Sequence, residues 1–251
     1  MSEAAPLAPL PPGAAEMLTP VAEGLGLLIR LLDREADADL IAGLNSMGAG
    51  GFFAALLPGE TGAEIARVLD ATLAEIEDPT DPDMLDELAA DYADCFLTHG
   101  RRLSPNGSVW MTEERLERQE PMFAVRDWYA HYGLETPNWR IRSDDHLVHE
   151  LQFVQHLLTL ATPEASHDAA HFMDRHLLPW APEFGRQLAS RAATPLIAVS
   201  GALLDDYLRM LRELLTEITG IAPDIAPLPG DKPNPKAPEQ QLYIPGVAES
   251  W

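Results

Sequence analysis

Cysteine is nearly missing from this chain of 251 residues: Cys95 is the only one, so no disulfide can form within it. Cys95 sits between Asp94 and Phe96 in an apolar helical pattern, where a small buried hydrophobe is the expected role. Basic residues are also scarce. There are 17 Lys and Arg against 40 Asp and Glu, a formal net charge of -23. Such a surface repels phosphate backbones and anionic membranes, and it draws in basic peptides. Apolar residues make up 46% of the chain, but no run of about 18 is free of charge, so no membrane span is expected. Met1 to Gly13 carries no Lys or Arg and therefore lacks the basic start of a secretory signal. Arg101-Arg102 lies too deep in the chain to be an export signal, and the cytoplasm is the expected location. The signatures of a serine-nucleophile elbow, a phosphate loop and a dinucleotide-binding turn are all missing. Paired carboxylates are too common in so acidic a chain to mark a site. No cofactor is expected.

Strand-like alternation and fixed-period repeats are absent too; the periodicity that is present is helical. Val21, Leu25, Leu28, Ile29 and Leu32 share a face. So do Ile65, Val68, Leu69 and Ile76; Leu85, Leu88, Tyr92, Cys95 and Phe96; and Met122, Val125, Tyr129 and Tyr132. Leu147 to Leu160 is apolar on most sides, the pattern of a central helix. From Leu196 to Ile218, leucines and Tyr207 repeat at steps of three and four. Helix starts are expected at Thr19-Pro20, Asp81-Pro82, Thr162-Pro163 and Thr194-Pro195, where a capping oxygen precedes proline. Thr61 and Glu64 have capping-box spacing, Ser143 with Asp144 and Asp145 reads as a cap plus two acids, and Tyr132-Gly133-Leu134 reads as a glycine stop. The expected fold is all-α: a single-domain helical bundle over residues 17–220. A flexible N-terminal extension would cover 1–16, and prolines keep 221–251 extended or disordered.

The densest pattern runs from Asp91 to Leu158. It contains Asp91-Tyr92-x3-Phe96-Leu97, then Leu103-Ser104-Pro105-x2-Ser108-Val109-Trp110, then Val125-Arg126-x2-Tyr129-x3-Gly133-Leu134, and finally Asp145-His146-Leu147-x2-Glu150-Leu151-x-Phe153. Tyr92 and Phe96 are four apart and share a helix face, which suits core packing or an apolar groove. Ser104-Pro105-Asn106-Gly107-Ser108 is a turn by composition, and it delivers Val109 and Trp110 directly after it. Asp145 and His146 fall at a helix start, where free N–H groups favour a carboxylate, and Glu150 follows His146 on the same face.

In order and spacing these strings resemble the TorD/DmsD-like family of redox-enzyme maturation chaperones. The resemblance covers roughly Glu16 to Gly220; the later string His171-Phe172-x3-His176-Leu177-x-Pro179-Trp180-x2-Phe184 fits it less specifically. One departure is Asp144, which stands where the family carries proline before its Asp-His pair. The resemblance implies a non-enzyme that binds the twin-arginine leader and the apo form of a molybdenum or tungsten oxidoreductase, holding it for cofactor insertion before export. It implies a peptide site of Tyr92, Phe96, Ser104, Pro105, Val109, Trp110, Asp145, His146 and Glu150. The apolar members would take the leader's hydrophobic stretch and Asp145 with His146 its arginines. Charge reversal at Asp145 is then expected to weaken binding and spare helicity. Family members form monomers and dimers, so a homodimer is open.

Two other readings stay open. His146, His149, His167, His171 and His176 have helical spacings that suit zinc or iron, although His149-Glu150 lacks the second His of the metalloprotease motif. The proline-rich tail, which carries Leu242-Tyr243-Ile244 and Trp251, would suit an interaction scaffold.

Overall fold

A computed structural model describes residues 7–98 and 100–229. The expected tail from 230 onward and the extreme N-terminus lie outside these. Among the described residues the chain is helical throughout, with no β-strand. The helices are α1 (Ala14–Asp33), α2 (Ala38–Met47), α3 (Ala49–Leu56), α4 (Gly59–Ala74), α5 (Pro82–Tyr92), α6 (Gly107–Met111), α7 (Glu120–His131), α8 (Leu147–Leu160), α9 (Pro163–Phe172), α10 (Ala181–Arg191) and α11 (Pro195–Thr219). Two of them continue into a π turn, α5 over Ala93–Leu97 and α9 over Met173–Leu177. None is long and apolar enough to cross a membrane.

Amphipathic stripes decide the packing. α8 buries Leu147, Val148, Leu151, Phe153, Val154, Leu157 and Leu158, and lies between α1 and α9. α11 buries Leu203, Leu204, Tyr207, Leu208, Leu211 and Leu215 against α10, α4, α9 and α1. Each such side chain removed from water is worth about 1.5–3 kcal/mol. The α10–α11 crossing depends on glycine. A Cβ on Gly185 would sit 2.7 Å from the Gly201 carbonyl oxygen, and one on Gly201 would sit 2.6 Å from that of Gly185. Val68 departs from its expected face, being 37% exposed.

The caps divide. Asp81 accepts the Asp83 N–H and Thr162 that of Ala165, as the sequence suggests. Gly133 has φ +69°, and the Leu134 N–H returns to Tyr129 O at 2.9 Å to close α7. Pro20, by contrast, lies inside α1, which begins at Ala14, six residues before it. Thr61 lies inside α4, which Pro58 precedes. α8 starts after His146 rather than at Ser143; the His146 imidazole Nδ1 accepts the Val148 N–H at 3.2 Å. Thr194 precedes α11, but its side chain makes no cap hydrogen bond; its hydroxyl donates to Asp91 instead.

Candidate functional site

Asp91, the first residue of the motif run, is a buried structural anchor. Its carboxylate accepts the N–H of Ala193 at 2.9 Å and that of Thr194 at 2.8 Å, together with the Thr194 hydroxyl at 2.8 Å. It thus ties the segment that leads into α11 to the end of α5. Burial pushes the Asp91 carboxyl up, but those donors and Arg101 outweigh burial and hold it below the ordinary value. Tyr92 and Phe96 stack at 4.7 Å between centroids and are only 4% and 5% exposed, with the Tyr92 hydroxyl donating to Asp33 O at 2.7 Å. In this conformation both belong to the core and neither opens onto a groove. Burial also pushes the Cys95 thiol up to about 12, which removes thiolate reactivity at neutral pH.

The structure brings the two central motif segments together. Ser104 to Trp110 and Ser143 to Glu150 run past each other as a short antiparallel bridge centred on Asn106 and His146. The Leu147 N–H donates to Pro105 O and the Gly107 N–H to Asp145 O, both at 2.8 Å. Asp145, wholly buried, locks this clasp. Its Oδ2 accepts the Ser108 N–H at 2.7 Å and the Ser108 hydroxyl at 2.5 Å, while its Oδ1 accepts the Ser143 hydroxyl. Ser143 Oγ is also 3.2 Å from Asn106 Oδ1, and Asn106 Nδ2 donates to Glu117 at 2.9 Å. Asp144 is buried as well. It takes the Arg126 guanidinium at 2.6 Å, and its carbonyl accepts the Tyr129 hydroxyl at 3.0 Å.

Under the clasp lie Gly107, Glu150 and Trp180. A Cβ on Gly107 would sit 3.1 Å from Trp180 Nε1 and 3.2 Å from Glu150 Oε1, so a side chain here would press on both. Glu150 is 1% exposed, and its Oε2 has no hydrogen-bond partner. Burial first, and then the negative Asp145, push its carboxyl well above the ordinary 4.5, with the Trp180 indole offsetting part of this. A raised acid is protonated in the fold, so its stabilising form is complete below about 4.5 and is lost as pH rises through the folded value. Glu150→Gln, which mimics the protonated form, is therefore expected to gain stability over the parent as pH rises. The slope should reach up to about 1.4 kcal/mol per pH unit. Urea unfolding at three pH values between 5.5 and 7.5 checks this; a difference that does not change with pH would show that Glu150 is ionised in the fold.

What the clasp presents to solvent is Trp110 with Val109. The half-buried Trp110 indole donates to Ser104 O at 2.9 Å and stacks on Trp180 with centroids 6.3 Å apart. It borders a cleft of about 710 Å³, walled also by Leu103, Leu116, Leu228 and Pro229, by Arg102, Arg115 and Arg191, and by Glu117 and Gln187. Of the sequence-derived site, Ser104, Val109 and Trp110 therefore line the cleft. Pro105, Asp145, His146 and Glu150 support it from beneath, and Tyr92 with Phe96 lie apart in the core. Burial pushes His146 well below its ordinary value, so it is neutral and fixed as a cap. Leu116 and the three arginines were not singled out from the sequence, because they follow no motif and meet only in the folded chain.

The histidine reading finds no geometry to support it. His149 Nδ1 contacts Ser143 O at 2.8 Å, and burial lowers His176 to about 4. Among the described residues no three His, Cys, Asp or Glu side chains gather in a metal-binding arrangement.

Residues 62–186 match the model of a family described as Nitrate reductase delta subunit. The chain is also similar to proteins called Chaperone protein TorD. It is 26% identical to that of Vibrio cholerae serotype O1 over 165 residues, 62% of this chain and 73% of that one. It is 28% identical to that of Shewanella loihica over 172 residues, 66% of this chain and 78% of that one. To that of Actinobacillus succinogenes it is 30% identical over 100 residues, 39% of this chain and 49% of that one. With the order of the motifs, the all-helical fold and these alignments in agreement, the chain belongs to the TorD/DmsD-like family of chaperones.

Proposed function

We propose that this protein is a client-specific chaperone for a molybdopterin oxidoreductase. In the cytoplasm it binds the client's twin-arginine leader and apo form, and it holds back export until the cofactor is in place. No catalytic step belongs to it. One observation carries the reading. The two strings most specific to the family are spent on building a clasp, and what the clasp presents is a Trp beside a cleft of mixed apolar and charged lining. An aromatic anchor at a cleft rim is the usual centre of a peptide-binding surface.

The leader's apolar stretch is assigned to Trp110, Val109 and Leu116. Its arginines do not reach Asp145, which is covered and fully bonded. They are assigned to Glu113 and Glu114, exposed carboxylates in the loop that also supplies Leu116 to the cleft. The net charge of -23 adds long-range attraction, which salt screens.

Trp110→Ala is expected to weaken leader binding at least tenfold and to leave the helical content unchanged. Calorimetric titration with synthetic leaders of molybdoenzymes checks it, with circular dichroism of the same samples. Equal affinity for both proteins would remove the cleft from the account.

A further inference from the structure

Past Gly220, which closes α11 at φ +74°, the chain runs on without helix but not without anchorage. Arg212 and Asp174 form a bidentate pair at 2.8 Å, with both side chains almost fully buried. This pair holds the outgoing segment. Arg212 donates to Ile221 O at 3.3 Å, Asp174 Oδ2 accepts the Asp224 N–H at 2.9 Å, and Asp174 O accepts the Ala226 N–H at 2.9 Å. Arg175 adds an ion pair to Asp224. The strap so fixed ends with Leu228 and Pro229 as part of the wall of the Trp110 cleft. Pro229, the last described residue, therefore lies at the cleft itself.

The cleft's chemistry is unusual for this protein. In a chain of net charge -23, it gathers Arg102, Arg115 and Arg191 around its apolar residues, with Glu117 as the one carboxylate among the lining residues. Among the described residues none of the three guanidinium groups pairs with a carboxylate; Arg191 donates to the carbonyls of Arg101 and Arg102. That lining suits an acidic, apolar segment. Residues 237–251 have that composition: Glu239 and Glu249 with no Lys or Arg, and Leu242-Tyr243-Ile244, Val247 and Trp251 among them.

We propose that residues 237–251 occupy the Trp110 cleft of their own chain, with Leu242, Tyr243 and Ile244 on its apolar floor and the glutamates at its arginines. From Pro229 to Leu242 the chain includes Pro233, Pro235 and Pro238, and at the polyproline rise this stretch spans at most about 40 Å, so Leu242 is within reach of the cleft. At the effective concentrations of such short tethers, on the order of millimolar, even a weak site is filled. A client must then displace the tail, so only a segment that outcompetes it is accepted. This last step rests on the cleft being the client site; the docking itself does not.

The test uses the intact chain and a variant carrying Leu242→Ser, Tyr243→Ser and Ile244→Ser together. Hydrogen exchange of residues 102–116 is followed by mass spectrometry. The tail variant is expected to exchange there about tenfold faster than the parent, and Arg102→Glu with Arg115→Glu in the intact chain should do the same. Equal exchange in the parent and the tail variant would overturn the proposal. Protection that grows with protein concentration would overturn it in favour of exchange between copies. Leader titration of the same tail variant separates the two readings. Tighter binding than the parent supports both. Faster exchange with unchanged leader affinity supports the docking and overturns the cleft as client site.

Discussion

Asp145→Ala should destabilise the protein by on the order of 4 kcal/mol, with loss of order first in the clasp. Three donors converge on this one carboxylate: the Ser108 N–H, the Ser108 hydroxyl and the Ser143 hydroxyl. Asp145 is 0% exposed, so water does not replace it. Each buried donor left unpaired costs about 1–3 kcal/mol, and the whole stability of a domain is about 5–15 kcal/mol. Urea unfolding measures the loss; a change under about 1 kcal/mol would contradict it. Charge reversal at the same position would bury an ammonium among donors and should be worse. The expectation from sequence, weaker leader binding with helicity spared, is therefore corrected. Asp145 cannot serve as a clean probe of recognition, since any loss of binding in its variants would follow from loss of the clasp.

The second large effect is expected at Arg212. Arg212→Ala leaves the Asp174 carboxylate buried with only the Asp224 N–H as partner, at an expected cost of about 3–5 kcal/mol. It also releases the strap at Ile221. Replacing both partners by apolar residues, Asp174→Leu with Arg212→Met, removes the stranded charge and should recover most of the loss. If the double variant is as unstable as Arg212→Ala alone, the pair is not the source of the cost, and the strap's other contacts must be.

The helices could be read from the sequence because each has one apolar stripe and period alone reveals it; Leu203 to Leu215 on α11 is the clearest case. Helix starts were less legible where local rules compete. Thr19-Pro20 looks like a start, yet the stripe reaches back to Leu18 and Ala14, and burial carries the helix through the proline. Thr194 looks like a cap, but its hydroxyl donates to Asp91, more than a hundred residues away in sequence, instead of accepting from the first turn of α11. No local pattern announces such a partner. The candidate site divides in the same way. The motifs showed which segments matter and that Trp110 follows a turn. They did not show that the polar residues face each other, because Ser108 meets Asp145 only through pairing of two loops. Asp174 and Arg212 were invisible for the same reason; a buried ion pair between two helices has no spacing rule.

The central claim is that the Trp110 cleft receives the client's leader. The most direct measurement is photo-crosslinking of the intact protein to a twin-arginine leader with a photoreactive group in its apolar stretch, mapped by mass spectrometry. The account expects crosslinks on Leu103, Val109, Trp110 and Leu116, suppressed by excess unlabelled leader. Suppressible crosslinks confined to another face, with none in the cleft, would contradict it.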